Sequence, residues 1–223
     1  RSLVMGLASD NEAWGGSTKA IYNMIAQDFL YEDAGGSLVV FADNHDMSRI
    51  YNMLGKDIRK VKQAMTFITT TRGLPQIYYG TELLFSDDSR GGAHQCRMDF
   101  PGGWKGDMIN LFHTEERTNL QQEMFAHTRN LLHFRKNNSV VYEGKLMHYV
   151  PRNNVYTYFR YNDSECVMIV INGASQPQKI DWKRFEERLS SKSEGVNILT
   201  GERIRKGDMI EVEANGSMVI HYK

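Results

Sequence analysis

The spacing of apolar residues changes character several times along this chain. From Ser17, which reads as an N-cap, Ile21, Met24, Ile25, Phe29 and Leu30 recur at helical intervals. Gly35-Gly36 interrupts that pattern, and the unbroken run Leu38-Val39-Val40-Phe41 predicts a buried strand over 38–42. Ile58, Val61, Ala64, Met65 and Ile68 then share one face of a helix expected over 56–70, which Gly73-Leu74-Pro75 stops. Gln76-Ile77-Tyr78-Tyr79 predicts a second short strand, closed by Gly80, with the two tyrosines on opposite faces. Helix, strand, helix, strand, with intervals long enough for crossovers, is the pattern of a parallel sheet covered by helices. Residues 1–16 carry turn signals such as Asp10-Asn11 and Gly15-Gly16 and are expected to be irregular.

A long polar stretch, 81–113, follows, and loops of that length inside a compact unit are usually functional or disordered. Leu120, Met124, Phe125, Thr128, Leu131 and Leu132 then predict an amphipathic helix over 116–136. Asn137-Asn138-Ser139 marks a boundary, dividing the chain into 1–138 and 139–223. Past it the period shortens. Runs at 155–161, 166–172, 209–212 and 218–222 read as strands, with Asn162-Asp163, Gly173, Gly201, Gly207-Asp208 and Asn215-Gly216 as turns between them. That is a small antiparallel β domain.

Composition narrows the picture. The 223 residues are 41% hydrophobic and 11% aromatic, enough for a sizeable core. Lys plus Arg equals Asp plus Glu at 27 each, so no basic surplus argues for nucleic acid, and a neutral substrate suits the balance. No apolar run approaches the ~20 residues of a membrane span. Arg1-Ser2-Leu3-Val4-Met5 lacks signal-peptide anatomy, and nothing fixes a compartment. Cys96 and Cys166 are far apart and share no metal spacing; two ordinary thiols are the first reading and a disulfide between them the alternative. His94 and His113 have no partners at metal-ligand spacing.

Chemistry concentrates where the first strand ends. Asp43-Asn44-His45-Asp46 delivers two carboxylates, an imidazole and an amide to one rim, with Arg49 behind them. Polar clusters at the carboxyl ends of buried parallel strands are where α/β barrels place their chemistry. A lone His-Asp after a strand can equally be a turn or a helix cap. Arg49 suits a salt bridge that orients the cluster, and Glu82 a structural partner of its loop. Trp104 offers an aromatic face to a ligand, or a side chain that pins its own loop.

Three stretches carry a resemblance. Phe41-Ala42-Asp43-Asn44-His45-Asp46 is similar to the strand-seven motif of the α-amylase superfamily of glycoside hydrolases. Gly73-Leu74-Pro75-Gln76-Ile77-Tyr78-Tyr79-Gly80-Thr81-Glu82 resembles that family's strand-eight motif. Cys96-Arg97-Met98-Asp99-Phe100-Pro101-Gly102-Gly103-Trp104 resembles the following loop in neopullulanase and cyclomaltodextrinase relatives. The resemblance implies the C-terminal part of a (β/α)₈ TIM barrel, strands seven and eight with their helices in 1–138, followed by a β-sandwich domain C in 139–223. It implies α-glucan or maltooligosaccharide as substrate and a retaining mechanism at α-1,4 or α-1,6 bonds. Asp46 matches the carboxylate that stabilises the transition state. His45 matches the imidazole that donates to the same sugar, and Asn44, Arg49 and Trp104 are candidates for substrate binding. Family members often hold structural calcium, mostly through other regions, and no residue here demands a metal or other cofactor. A transglycosylase or isomerase of the superfamily, a non-catalytic relative and a carbohydrate-binding module are the alternatives.

The nucleophilic Asp and acid Glu of such an enzyme belong upstream. The Arg-x-Asp motif of strand four has no counterpart before residue 38. Glu12-Ala13-Trp14 imitates the strand-five acid motif, but a helix, a strand and another helix must separate strand five from strand seven, and 15–37 hold one helix. The expectation is a fragment of a larger enzyme, inactive alone. Its two barrel strands would leave unpaired edges, so it self-associates or leans on domain C and the long helices.

Overall fold

The computed structural model describes residues 2–9, 16–87 and 95–223. Glu12-Ala13-Trp14 and His94 therefore lie outside the described residues. The amino end is more regular than its turn signals suggest: Ser2–Ala8 form α1, anchored by buried Leu3 and Leu7. Ser17 caps α2 (Thr18–Ile25), its hydroxyl accepting from Lys19 N. The predicted helix does not extend to Phe29 and Leu30. Those residues open a 3-10 stretch, Asp28–Ser37, and are 73% and 63% exposed. No strand intervenes among the described residues between 16 and 38.

Strand β1 (Val39–Phe41) leads through α3 (Ile50–Met53) and α4 (Ile58–Thr70) to β2 (Leu74–Gln76). β1 and β2 pair in parallel, Val39 opposite Leu74 and Phe41 opposite Gln76. Asp57 caps α4 by accepting from Arg59 N. Gly73 must be glycine: its φ is +93°, and a Cβ there would lie 2.4 Å from the Leu38 carbonyl. That same carbonyl accepts from Leu74 N at 2.8 Å and opens the parallel pairing. Two expectations are corrected here. The first strand is not buried: Val39 is 53% and Phe41 42% exposed, because this pair lacks the cover that parallel strands have on both faces. The second strand lies at 74–76, two residues early, so Tyr78 and Tyr79 follow it rather than alternate across it.

Thr81–Leu83 and Thr114–Glu116 are short 3-10 turns within or just beyond the long polar stretch. Helix α5 (Asn119–Asn137) starts at a capping box in which Thr118 and Gln121 each bond the other's backbone. After α6 (Ser139–Tyr142) come eight strands: β3 (Lys145–Arg152), β4 (Val155–Tyr161), β5 (Cys166–Asn172), β6 (Gln178–Ile180), β7 (Glu194–Asn197), β8 (Arg203–Arg205), β9 (Ile210–Val212) and β10 (Ser217–Tyr222). α7 (Glu186–Leu189) lies between β6 and β7. Six of these strands make one antiparallel-connected sheet in the order β3-β4-β5-β10-β7-β8, and β6-β9 make a second. β3, β6, β7 and β8 escape a reading by apolar pattern, since three are short and β3 is only half-buried.

The large sheet is buried on both faces. Period two sends Val167, Ile169 and Ile171 into a core shared with α1, α2, α4, α5 and α6. Cys166, Met168 and Val170 go into a second core closed by β6, β9 and the turn carrying Trp182 and Phe185. Both cysteines are buried free thiols. Buried hydrogen bonds fix helices to sheet: Gln63 Nε2 donates to the Asn172 carbonyl at 2.6 Å, and Arg160 Nε to that of Val141 at 2.9 Å. Arg135 reaches back to the carbonyls of Thr69 (2.9 Å) and Gly73 (2.7 Å), bracing the turn into β2. Among the described residues no helix is long and apolar enough to cross a membrane.

Candidate functional site

Parallel pairing brings the carboxyl ends of β1 and β2 side by side, and three segments meet there. Asp43 is buried directly after β1. Its carboxylate accepts from Ile50 N at 3.0 Å and from Thr81 Oγ1 at 2.8 Å. Burial raises its pKa, and those hydrogen bonds, with the nearby Arg49 charge, pull it back down. Asp43 thus ties the start of α3 and the exit of β2 to the end of β1. Asp87 performs a similar service, accepting from Arg49 N at 2.8 Å and from the Ser48 hydroxyl.

Arg49 is 1% exposed. It is not the salt-bridging residue expected from the sequence. Among the described residues its guanidinium donates to the Tyr79 carbonyl at 2.6 Å and lies over the rings of Tyr78 (4.1 Å) and Tyr79 (4.8 Å). Nη2 has no hydrogen-bond partner among the described residues. Arg49 therefore supports the rim from below, away from a solvent-borne ligand. Tyr79 in turn donates its hydroxyl to the Met98 carbonyl at 2.6 Å, holding the third segment in place.

Above this base stand the polar groups. Asn44 turns the chain, its Oδ1 accepting from Asp46 N at 2.9 Å, an Asx-turn that presents His45 and Asp46 outward. His45 Nε2 lies 3.2 Å from Asp46 Oδ2, and Arg97 Nη2 lies 3.2 Å from Asp46 Oδ1. Arg97 Nε also donates to the His45 carbonyl at 2.9 Å. The Asp46 carboxylate is thus bracketed by an imidazole and a guanidinium while remaining 66% exposed. Such a trio can receive and donate hydrogen bonds to vicinal hydroxyls and can place negative charge against a developing cation.

Arg97 lies inside a motif that gives it no role of its own, because local spacing cannot show that a residue reaches back across 51 positions. Trp104 stands elsewhere. Its backbone N–H joins a turn closed by Asp107 Oδ2 (3.1 Å), and its ring, 67% exposed, does not pin the loop. It makes no hydrogen bond or ring contact with His45 or Asp46. Glu82 is half-buried, and burial raises its pKa. It lines an apolar groove of about 540 Å³ with Ile77, Tyr79, Phe125 and Leu132. That groove includes neither His45 nor Asp46, so the polar trio occupies an open rim rather than a closed cleft. His113 sits 3.7 Å from Glu116 on the surface. Among the described residues no cluster of three His, Cys, Asp or Glu side chains is placed to hold a metal ion.

Comparison with known proteins bears on this rim. Residues 7–99 match the family described as "Alpha amylase, catalytic domain", and residues 146–221 match "Cyclo-malto-dextrinase C-terminal domain". The chain belongs to the α-amylase family. Among its family relatives, the maltogenic α-amylase of Bacillus acidopullulyticus is 25% identical over 187 residues, covering 80% of this chain and 28% of the relative. The cyclomaltodextrinase of Geobacillus thermopakistaniensis is 27% identical over 163 residues, 72% of this chain and 24% of the relative. The α-amylase of Geobacillus thermoleovorans, solved with acarbose, superposes with a TM-score of 0.78 at 19% identity, covering all of this chain and 46% of that one. This α-amylase-family chain therefore spans about a quarter of the curated relatives it matches. Its His45–Asp46 rim falls within the part matched to the catalytic domain.

Proposed function

We propose that this chain supplies one rim of the active site of an α-glucan-processing glycoside hydrolase, with Asp46 as the carboxylate that stabilises the transition state. The observation that carries the reading is the Asp46 carboxylate itself, exposed at the carboxyl end of a parallel strand and held between His45 Nε2 and Arg97 Nη2 at 3.2 Å each. An oxocarbenium-like sugar carries partial positive charge, and a carboxylate fixed beside its hydroxyls binds that state better than the ground state. His45 donates to a hydroxyl of the same sugar, and Asn44 holds the turn that aims both. Trp104, with its ring free, offers a stacking face to a more distant sugar.

In this reading β1 and β2 are the last two strands of a (β/α)₈ barrel, and residues 139–223 form its C-terminal β domain. Retaining hydrolysis requires a nucleophile and an acid besides Asp46, with ~5–5.5 Å between those two carboxyl groups. They come from portions of the catalytic domain beyond the described residues, whose strands also wall the open rim. Maltooligosaccharides fit as substrates because the site reads hydroxyls with one negative and two basic groups and needs no net charge in its ligand. Transglycosylation would use the same rim.

Reducing-sugar release from maltoheptaose and pullulan tests this. The chain alone is expected to release none. Joined to a complete catalytic domain, it is expected to be active and to lose roughly 10²–10³-fold in kcat on Asp46→Ala, the size of a lost preorganised electrostatic group. Full activity in Asp46→Ala would sink the assignment.

A further inference from the structure

The β domain carries a second concave site, far in sequence from the rim. It is a cavity of about 510 Å³ where the β3–β4 hairpin meets β6 and the turn that follows it. Its floor is Val155, Thr157 and Ile180, all buried. Its walls are cationic: Arg152, Lys179, Lys183 and Arg184 face it, with Asp181 as the sole carboxylate of the lining. In a chain whose positive and negative residues balance at 27 each, that is a local excess.

The anionic side chains nearby do not neutralise it. Asp181 is committed to its own turn, Oδ1 accepting from Lys183 N at 2.9 Å. Glu211, on β9, lies 3.7 Å from Lys179 and offsets that one charge. Arg152, Lys183 and Arg184 have no carboxylate partner among the described residues. Arg184 is held in place, its Nη2 donating to the Val150 carbonyl and its guanidinium lying 5.6 Å from the Phe185 ring centre. Burial, and then the charge of Arg152, weaken its hold on its proton, as like charges crowding one cavity must. The left-handed pair Asn153 (φ +52°) and Asn154 (φ +58°) makes the tight hairpin turn that sets Arg152 beside this cavity.

We propose that this cavity binds a phosphate monoester or free phosphate, with Arg184 and Arg152 as forked donors and Lys183 as the third positive charge. A guanidinium fork matches two phosphate oxygens, and an ammonium adds a point charge. Among the described residues no aromatic ring lines the cavity to offer a neutral sugar a stacking face; the ligand is recognised by charge. The volume lies within the range of small-molecule sites and leaves room for a sugar ring behind the phosphate.

The test is calorimetric titration of the whole chain with inorganic phosphate, glucose 6-phosphate and maltoheptaose, at constant ionic strength so that general screening drops out. Saturable binding of the two phosphates is expected, and at least tenfold weaker binding in the double variant Arg152→Ala/Lys183→Ala. Both side chains lie at the accessible edge, and an unchanged melting temperature will verify that the variant folds. Equal affinity for the two phosphates assigns the site to the free ion, whereas tighter glucose 6-phosphate assigns it to a phosphorylated sugar. The proposal fails if neither phosphate saturates, if the double variant binds as tightly as the parent, or if maltoheptaose binds and loses affinity in that same variant.

Discussion

β1 and β5 are both short runs of β-branched and apolar residues, yet they live in opposite surroundings. β5, Cys166–Asn172, is buried at every position. β1, Val39–Phe41, is exposed at two of three, and its partner β2 repeats the pattern. The sequences do not explain the difference. Neighbours do: β5 sits between β4 and β10 with a core on each face, whereas β1 has one strand partner among the described residues. An apolar strand is a demand for cover, and whether the demand is met is decided by the rest of the fold. The candidate site stands on the region where it is unmet. Its rigidity comes from polar ties at Asp43, Arg49 and Arg135 rather than from a closed core.

Replacing phenylalanine by alanine once in each region measures the difference directly. Phe159, on β4, is fully buried and touches Tyr149 and Phe185 edge-on or tilted. Phe159→Ala is expected to cost about 3–5 kcal/mol in urea unfolding, a lost transfer term plus a cavity. Phe41→Ala, at 42% exposure, is expected to cost less than about 1 kcal/mol. Comparable losses at the two positions would mean that β1 is covered in solution, by a second copy or by another strand.

A second effect probes the helices that join the two regions. His127, on α5, has Nε2 3.2 Å from the Lys62 carbonyl and 3.2 Å from Thr66 Oγ1 on α4. Burial first, and the Lys62 charge second, push its pKa down to about 4 from 6.5. The unfolded chain therefore binds the proton more readily. The stabilisation is fully present above pH 6.5 and is lost as pH falls through about 4. Partial exposure screens the effect to about 2 kcal/mol. Urea midpoints measured from pH 7 to 4 are expected to fall, and to fall less in His127→Gln. Parallel slopes for the two proteins would remove His127 from the account.

What could be read from the residues divides along the same line. Periodicity locates α2, α4, α5, β4, β5 and β10, because each buries a regular stripe. It misplaces β2 by two residues, since Ile77-Tyr78-Tyr79 is apolar for a different reason: the tyrosines cradle Arg49 and pin the loop at Met98. It misses α1, where turn-forming residues follow a helix too short to show a period. At the rim, Asn44, His45 and Asp46 are legible as a polar cluster after a strand. The structure brings them together with Arg97, whose part depends on a loop returning from beyond β2. No rule of spacing supplies that return, nor the replacement of a salt bridge at Arg49 by tyrosine faces.

The smallest expected effect separates stability from function at the rim. Arg97 joins Asp46 at 3.2 Å, but the two side chains are 41% and 66% exposed. An ion pair so open to water is worth ~0–1 kcal/mol, because solvent screens the attraction and two long side chains resist being ordered. Arg97→Ala should therefore shift the urea midpoint barely at all, far less than Phe159→Ala. It also removes the donor to the His45 carbonyl, so the turn that presents His45 and Asp46 loses its outer tie. If the pair orients Asp46, activity in the complete catalytic domain will drop at unchanged stability, and Arg97→Lys will restore only part of it because an ammonium cannot span both acceptors. Equal recovery by Lys would reduce Arg97 to a source of charge. A large loss of stability would show that this open rim is a structural joint, and that the polar ties carry more of the fold than the exposed strands beneath them.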